Sequence, residues 1–391
     1  MVVVEEEEAA VGVDFLEWLG PDTSAIVFTL LRDPADLANA SAVSRSWRTL
    51  VMAVHLSKIQ CLRACPEVSS FTRIEQVITS ANCSNYGINE DAGANAAAAA
   101  SALENHKRDH RVYMHLAHAL LSPYTSKDCI ARCIGASSTD NFPQERIQNT
   151  LEPRDHVHMM PSYWSSGGQS NPSVPECLVY RLCSDLCLID EIKIRPFKAF
   201  FQHDHPIYSA QYVRFRMGCP KSPLQPEDLV SDENEGQLTA DDNYIWTYTS
   251  PEFPMLQENV LQTFKLPRSV LCIGGVVKIE LLGRIQKQEE DGLYYICVSH
   301  VQMLGNPLSR ELGVTPCENG LVLKYYLDPE SSRDDGRSRS KWHSFEARFW
   351  QALTGQIIGL NEELLSRLLG PPLQFVTEED DESEEGTCPL P

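Results

Sequence analysis

Apolar side chains recur at helical intervals in three short segments near the start of the chain. Polar or proline-containing turns separate the segments, whose apolar positions are Leu16 and Leu19, then Ile26, Val27, Leu30 and Leu31, then Leu37, Ala40, Val43, Trp47 and Leu50. This spacing predicts three short amphipathic helices. Because about 45 residues are too few to enclose a full core, we expect these helices to pack on a partner surface.

The apolar spacing changes from helical to strand-like near Asp155. Alternation is clearest where Ile192 and Ile194 are flanked by the charged Glu191, Lys193 and Arg195. It recurs where Val277, Ile279 and Leu281 alternate with the charged Lys278 and Glu280, which are expected to face solvent. A strand with one buried and one solvent-exposed face is typical of an antiparallel sandwich. No long helical pattern lies between the strand-like segments, as it would in a doubly wound α/β fold. The predicted strands are 177–182, 186–194, 208–217, 244–248, 260–266, 276–282 and 293–303.

These patterns together predict an α+β fold with five successive regions. Residues 307–339 resemble a loop, apolar residues recur at helical intervals from Trp342 to Leu368, and the last residues are strongly acidic. The regions are a small helical unit over 14–60, a helical linker region over 61–154, a β-sandwich over 155–305, a C-terminal helical extension over 306–376 and a disordered acidic tail over 377–391.

The charge balance argues against several classes of protein. The chain has 391 residues, a net charge of -21 and no basic stripe of the kind that nucleic-acid binding requires. No run of about 18 apolar residues is present, so we expect no membrane-spanning helix. An N-terminus reading VVVEEEE is unlike a secretory signal. Thirteen scattered cysteines are typical of reduced thiols. We expect an intracellular protein, in the nucleus or the cytoplasm, with neither nucleic acid nor membrane as a partner.

No motif for catalysis or metal binding stands out. The sequence lacks a G-x-x-x-x-G-K-[ST] phosphate loop, a G-x-S-x-G nucleophile elbow and an H-E-x-x-H zinc motif. Three cysteine pairs lie four residues apart, a spacing that favours structural thiols on a helix face over metal ligands. The pairs His115/His118 and His203/His205 are better explained as ordinary polar positions. We predict no catalytic residue, no metal and no cofactor.

The three helical segments also follow a known order of residues. Asp22 or Thr23 can cap a helix that starts near Ser24, and Asp33 can cap one whose first turn holds Pro34. Leu19 and Pro21, an Ile/Leu helix, then the pairs Asp36-Leu37, Val43-Ser44 and Trp47-Arg48 resemble the F-box, which binds the Skp-type adaptor of cullin ubiquitin ligases. Gly20 is an insertion relative to the Leu-Pro of many members. The resemblance implies that the apolar contacts to the adaptor come from Leu19, Pro21, Ile26, Leu30, Leu37, Val43 and Trp47.

A second resemblance covers the strand-rich part of the chain. The segment Tyr163-Trp164-Ser165-Ser166-Gly167-Gly168 and the strands at 192–194, 212–215, 276–283 and 294–301 look like a discoidin or galactose-binding-like jelly roll. The whole arrangement resembles a group of plant F-box proteins that carry such a sandwich. Loops at one end of these sandwiches bind ligands, which makes Tyr163, Trp164, His203 and His205 weak candidates for target contacts. A core position for Trp164 is the more frequent outcome for an isolated aromatic residue.

The two resemblances imply a noncatalytic protein. We expect a substrate-recognition subunit of a Skp–cullin–F-box ubiquitin ligase, in which the helices bind the adaptor, and through it a cullin, while the sandwich binds an unknown target protein. The alternative is a carbohydrate- or glycoprotein-binding module without a role in ubiquitin ligation. An intracellular hydrolase ranks third, since no residue pair for nucleophilic catalysis is indicated.

Overall fold

The computed structural model describes residues 14–78, 94–157, 160–223 and 235–327. The helices of these ranges are α1 (Phe15–Thr29), α2 (Pro34–Val43), α3 (Arg45–Ala53), α4 (Leu56–Ala64), α5 (Ala94–Leu121) and α6 (Glu235–Leu238). The strands of the first half are β1 (Phe71–Ile78), β2 (Lys127–Asp128), β3 (Ile130–Ala136), β4 (His156–Val157), β5 (Met160–Pro161), β6 (Trp164–Ser165), β7 (Glu176–Leu182) and β8 (Leu186–Lys198). The remaining strands are β9 (Ile207–Tyr208), β10 (Ala210–Pro220), β11 (Tyr244–Thr249), β12 (Phe253–Pro254), β13 (Gln262–Ile273), β14 (Val276–Arg284), β15 (Cys297–Pro307), β16 (Leu312–Cys317) and β17 (Gly320–Leu327).

Helix α1 begins at an acidic cap and is broken once by a glycine. The Asp14 carboxylate accepts a hydrogen bond of 3.0 Å from the backbone N–H two residues on, which satisfies one of the free donors at the helix start. Gly20 has φ 73° and ψ 165°, a conformation that glycine adopts at low cost, and Pro21 opens the second helical segment. The predicted cap at Asp22 or Thr23 is therefore wrong, because the second helical segment already starts at Pro21 and includes both positions.

The starts of α2 and α3 follow from short polar side chains. Asp33 accepts a hydrogen bond of 2.8 Å from the backbone of Ala35, and Pro34 occupies the first turn of α2, which confirms that predicted helix start. Ser44 then accepts one of 3.2 Å from the backbone of Trp47 and caps α3. The helical character of the three predicted segments is confirmed, but their division is not: the first two segments share the kinked helix α1, and Ser44 divides the third into α2 and α3. Helix α4 follows α3.

Two antiparallel sheets form the β-sandwich. One has the strand order β11-β10-β14-β7-β3, with β12 paired to β10, and the other has the order β13-β8-β15-β2, with β6 on β15 and β9 on β8. Ile192 and Ile194 of the second sheet share a buried core with Val277, Ile279 and Leu281 of the first. The expected inward alternation of both strands is confirmed, and so is the α+β class.

One position on β14 that the alternation predicts to be exposed to solvent is buried. Lys278 is only 8% exposed, and its ammonium donates to the backbone oxygen of Thr239 at 3.0 Å and to the Asp241 carboxylate at 2.8 Å. The segment around α6 thus lies over the outer face of this strand. Burying the lysine is tolerable because its charge is paired and hydrogen-bonded.

A third sheet pairs β1, which follows the N-terminal helices, with β17, the last described strand. Its strand order is β1-β17-β16, and β1 runs parallel to β17, with Phe71 opposite Leu321 and Ile78 opposite Leu327. The predicted loop at 307–339 is therefore wrong over β16 and β17. The predicted helical linker region over 61–154 likewise contains β1 and β3, and the sandwich strands extend beyond the expected 155–305 at both ends. Local apolar spacing cannot reveal the pairing of β1 with β17, because these two strands lie about 250 residues apart.

The helices share a hydrophobic core with the strands. This core, which we call the joint core, unites α4, β1 and α5 with strands of the three sheets described above through Cys61, Phe71, Leu116, Leu188, Cys219 and Leu323. Beside it, the Arg268 guanidinium donates to both carboxylate oxygens of Glu67, one at 3.0 Å, although Glu67 is only 3% exposed. Helices and sandwich consequently belong to one compact unit, residues 1–332.

Two sequence expectations remain, one about the cysteines and one about the C-terminal residues. The cysteines of the described ranges are free thiols and most are buried, as predicted. The expected helices between Trp342 and Leu368 and the acidic tail at 377–391 lie outside the described residues.

Candidate functional site

Helix α1 carries an exposed apolar surface. The exposed fractions are 83% for Trp18, 65% for Ile26 and 72% for Leu30, while Leu19 and Val27 are partly exposed. Ile26 and Leu30 lie four positions apart and so share one side of the helix. We call these five side chains the α1 apolar surface. Val43, at the end of α2, is a further exposed apolar residue.

The inner side of α1 is fixed by contacts with α3. The indole N–H of Trp47 donates to the Asp14 carboxylate at 2.9 Å, so one carboxylate both caps α1 and ties it to α3. The Trp47 ring also meets the buried ring of Phe28 edge to face, with centroids 5.0 Å apart. These contacts hold α1 in an orientation that leaves its apolar surface accessible.

The seven predicted adaptor contacts divide between the surface and the interior. Ile26, Leu30, Val43, Pro21 and, at a lower fraction, Leu19 are exposed. Leu37 is fully buried and Trp47 is a half-buried packing residue, so these two act inside the helical unit.

Sequence reasoning missed two members of the apolar surface, Trp18 and Val27. Both were visible as apolar residues within the first two helical segments. Only the direction of the helix, which Gly20 and the contact with Trp47 determine, reveals that they point outward.

A cleft of about 650 Å³ lies at one end of the sandwich. Its walls come from the segment before β6, the loop between β8 and β9, and the loop between β14 and β15. Tyr163, Phe197, Phe201, Tyr208 and Tyr295 supply aromatic surface. The charged groups at the cleft are five carboxylates and one lysine, from Asp140, Glu145, Asp204, Glu289, Glu290 and Lys287.

Two of the four predicted target contacts line this cleft. Tyr163 and His203 are among its wall residues, and His205 is exposed in the same turn. That turn is tight, since Asp204 and His205 have φ values of 58° and 49°. Trp164 is fully buried, and its indole N–H donates to the backbone oxygen of Ser138 at 3.1 Å. Trp164 is therefore a core residue, the outcome that the sequence favoured.

The electrostatics of the cleft are unbalanced toward negative charge. The Tyr163 hydroxyl donates to one oxygen of Glu145 at 2.5 Å, and burial together with this carboxylate raises the pKa of Tyr163. The other oxygen of Glu145 is buried and has no hydrogen-bond partner among the described residues. Burial, and then the charges of Glu145 and Asp291, raise the pKa of Asp140. A positive group that entered the cleft would relieve these charges.

The described ranges lack two other kinds of feature. They contain no group of three or more His, Cys, Asp or Glu side chains that could hold a metal ion. No helix described there is long and apolar enough to cross a membrane.

Comparison with known proteins bears on the helices and the sandwich together. No model of a protein family matches the chain. The chain is 45% identical over 328 residues to a curated F-box protein of Arabidopsis thaliana, which covers 82% of this chain and 85% of that protein. It also resembles a family 32 carbohydrate-binding module of C. perfringens NanJ solved with galactose, at 10% identity and a TM-score of 0.27, over 44% of this chain and 98% of that one. A second module, from a family 31 glycoside hydrolase of Clostridium perfringens, matches at 10% identity and a TM-score of 0.30. The match covers 45% of this chain and 90% of that one.

Proposed function

This chain belongs to the F-box protein family, and on that premise we propose that it is the substrate-recognition subunit of a Skp–cullin–F-box ubiquitin ligase. The α1 apolar surface binds the Skp-type adaptor, and the sandwich binds a target protein. The subunit itself is noncatalytic. It promotes ubiquitin transfer by raising the effective concentration of target lysines near the conjugating enzyme.

The observation that carries the adaptor half of the proposal is the exposure of the α1 apolar surface. An 83% exposed tryptophan in the same kinked helix as the exposed Ile26, with exposed Leu30 at its end, is the composition of a protein–protein interface. Burying a Leu or Ile side chain contributes about 1.5–3 kcal/mol when it is complete. Since Ile26 and Leu30 are 65% and 72% exposed, their burial together would contribute roughly 2–4 kcal/mol to adaptor binding.

The observation that supports the target half is the cleft. It lies on the sandwich, whereas the apolar surface lies on α1. Because both belong to one compact unit with a shared core, a target held at the cleft would keep a defined position relative to a bound adaptor. A flexible linker between the two sites would not fix the position of the target relative to the adaptor in this way.

The test is the affinity of the purified full-length chain for a purified Skp-type adaptor, measured by calorimetry. The double substitution Ile26→Asp/Leu30→Asp should weaken binding at least about 100-fold, because it removes the apolar burial and places two charges in the interface. Leu256→Asp/Val260→Asp is the matched control, since these side chains are 56% and 49% exposed on the sandwich. Thermal melts of both variants check that they fold.

The result that contradicts the proposal is full-strength adaptor binding by the folded α1 variant. Absence of adaptor binding by the unsubstituted chain, combined with capture of galactose or N-acetylgalactosamine by the same protein, would favour the glycan-binding alternative.

A further inference from the structure

The inference concerns what the cleft recognises, and it rests on the proposed role of the sandwich in target binding. The cleft combines aromatic walls with a strong excess of carboxylates: five of them against Lys287 alone. A neutral ligand, such as a simple sugar, would leave this charge uncompensated. The ligand that complements it is positively charged.

One carboxylate oxygen supports this more specifically. Oε2 of Glu145 is buried without a hydrogen-bond partner in the described ranges, while Oε1 is bound to Tyr163. A buried carboxylate oxygen that lacks a donor is costly, and such groups are normally satisfied by protein, water or ligand. Glu145 lines the cleft, so a cation bound there lies near this uncompensated carboxylate.

The carboxylates do not converge as metal ligands do. No group of three His, Cys, Asp or Glu side chains in the described part of the chain can hold a metal ion. The complementary cation must instead be extended and able to donate several hydrogen bonds. Guanidinium and ammonium groups on side chains meet this requirement.

The aromatic walls suit the same group. The rings of Tyr163 and Phe197 are stacked with centroids 3.8 Å apart, and Phe201 lies 6.5 Å from Tyr163. Phe201 is 54% exposed although it lines the cleft. Exposed aromatic faces attract guanidinium and ammonium cations, and neighbouring carboxylates strengthen this binding.

From these observations we infer that the cleft binds a cationic side chain, an arginine or a lysine, exposed on the target protein. The aliphatic stem packs on the aromatic walls, and the charged end reaches the Glu145 carboxylate.

The experiment is fluorescence anisotropy of a labelled tetra-arginine peptide with the full-length chain at physiological salt, where long-range attraction by the net charge is screened. A tetra-citrulline peptide has almost the same shape without the charge and should bind at least about tenfold more weakly. Glu145→Gln keeps the acceptor for Tyr163 but removes the charge, and Phe201→Ala removes an exposed ring. Each should weaken arginine binding roughly five- to tenfold.

Glu104→Gln is the matched control, because it removes one exposed carboxylate from α5, far from the sandwich loops in sequence. Equal binding of the two peptides, an equal effect of the Glu104 and Glu145 substitutions, or no effect of Phe201→Ala would each overturn the inference. Adaptor affinity is measured on the same preparations. Intact adaptor binding with no arginine binding refutes the cleft inference alone, whereas arginine binding without adaptor binding refutes the proposed function.

Discussion

Removing Arg284 should destabilise the sandwich strongly. Its side chain is fully buried and pairs with Glu176, which is 3% exposed. The guanidinium also donates to the Ser166 hydroxyl at 3.0 Å and to the backbone oxygens of Gly167 and Tyr294, both at 2.9 Å. Arg284 thereby connects β14 to the segment that follows β6 and to the loop beside the cleft.

The magnitude follows from what Arg284→Met leaves behind. Among the described residues, Glu176 keeps only the hydroxyls of Ser137 and Ser138 as charge-stabilising side-chain donors. Breaking a buried ion pair on one side costs about 3–5 kcal/mol, because the remaining charge stays buried without its counterion. For a domain of this size that corresponds to a fall in melting temperature on the order of 5–10 °C.

The assay is a thermal melt combined with urea unfolding, and it includes the double variant Arg284→Met/Glu176→Gln. The double variant should be more stable than Arg284→Met alone, since no unpaired charge remains. Arg73→Met is the control: it breaks the exposed pair with Glu75, whose side chains are 64% and 40% exposed, and should cost less than about 1 kcal/mol. A cost for Arg284→Met as small as that of the control would refute the reasoning, and so would additive losses in the double variant.

Two further predictions concern the helices. Arg268→Met leaves the buried Glu67 carboxylate without its partner, so urea unfolding should show a loss of about 1–3 kcal/mol, and a loss no larger than that of Arg73→Met would contradict the role of this pair. Burial, followed by the charges of His55 and Arg48, lowers the pKa of His110 to about 4. Since the unfolded value is about 6.5, the chain should lose up to roughly 3 kcal/mol of stability as the pH falls from 6.5 through 4. His110→Gln should reduce this loss in melts recorded across that range, and an unchanged acid profile would show that other groups cause it.

The sequence predicted local elements well and long-range partners poorly. The period-two alternation around Ile192 and Ile194 was enough to place β8, because over residues 191–195 one face of that strand is buried and the other is only partly covered. Strand β1 has the same kind of side chains, but its partner is β17, and no local spacing reveals a pairing of Phe71 with Leu321. The periodicity of apolar residues indicates which face of a strand is buried, but it does not identify the distant strand that pairs with it.

The candidate sites show the same difference between what local sequence reveals and what depends on distant contacts. The apolar residues of α1 were visible in the sequence, but the fate of Leu37, which is fully buried, depended on how α2 packs in the helical unit. The loops holding Tyr163 and His203 were marked by aromatic and polar composition. Glu145 was not, because a single glutamate acquires its significance only when folding buries one of its oxygens without a hydrogen-bond partner among the described residues.

The parallel pairing of β1 with β17 also sets the order in which the protein can be completed during synthesis. The α1–α3 helices emerge from the ribosome first and make local contacts, whereas β1 must wait for a strand about 250 residues later. Until Gly320–Leu327 has been made, Phe71 and Ile74 lack the neighbours that bury them in the finished protein. A nascent chain could thus present its α1 surface before the third sheet is complete, so any premature stop ahead of β17 would release a molecule with the α1–α3 helices but without the strand that pairs with β1.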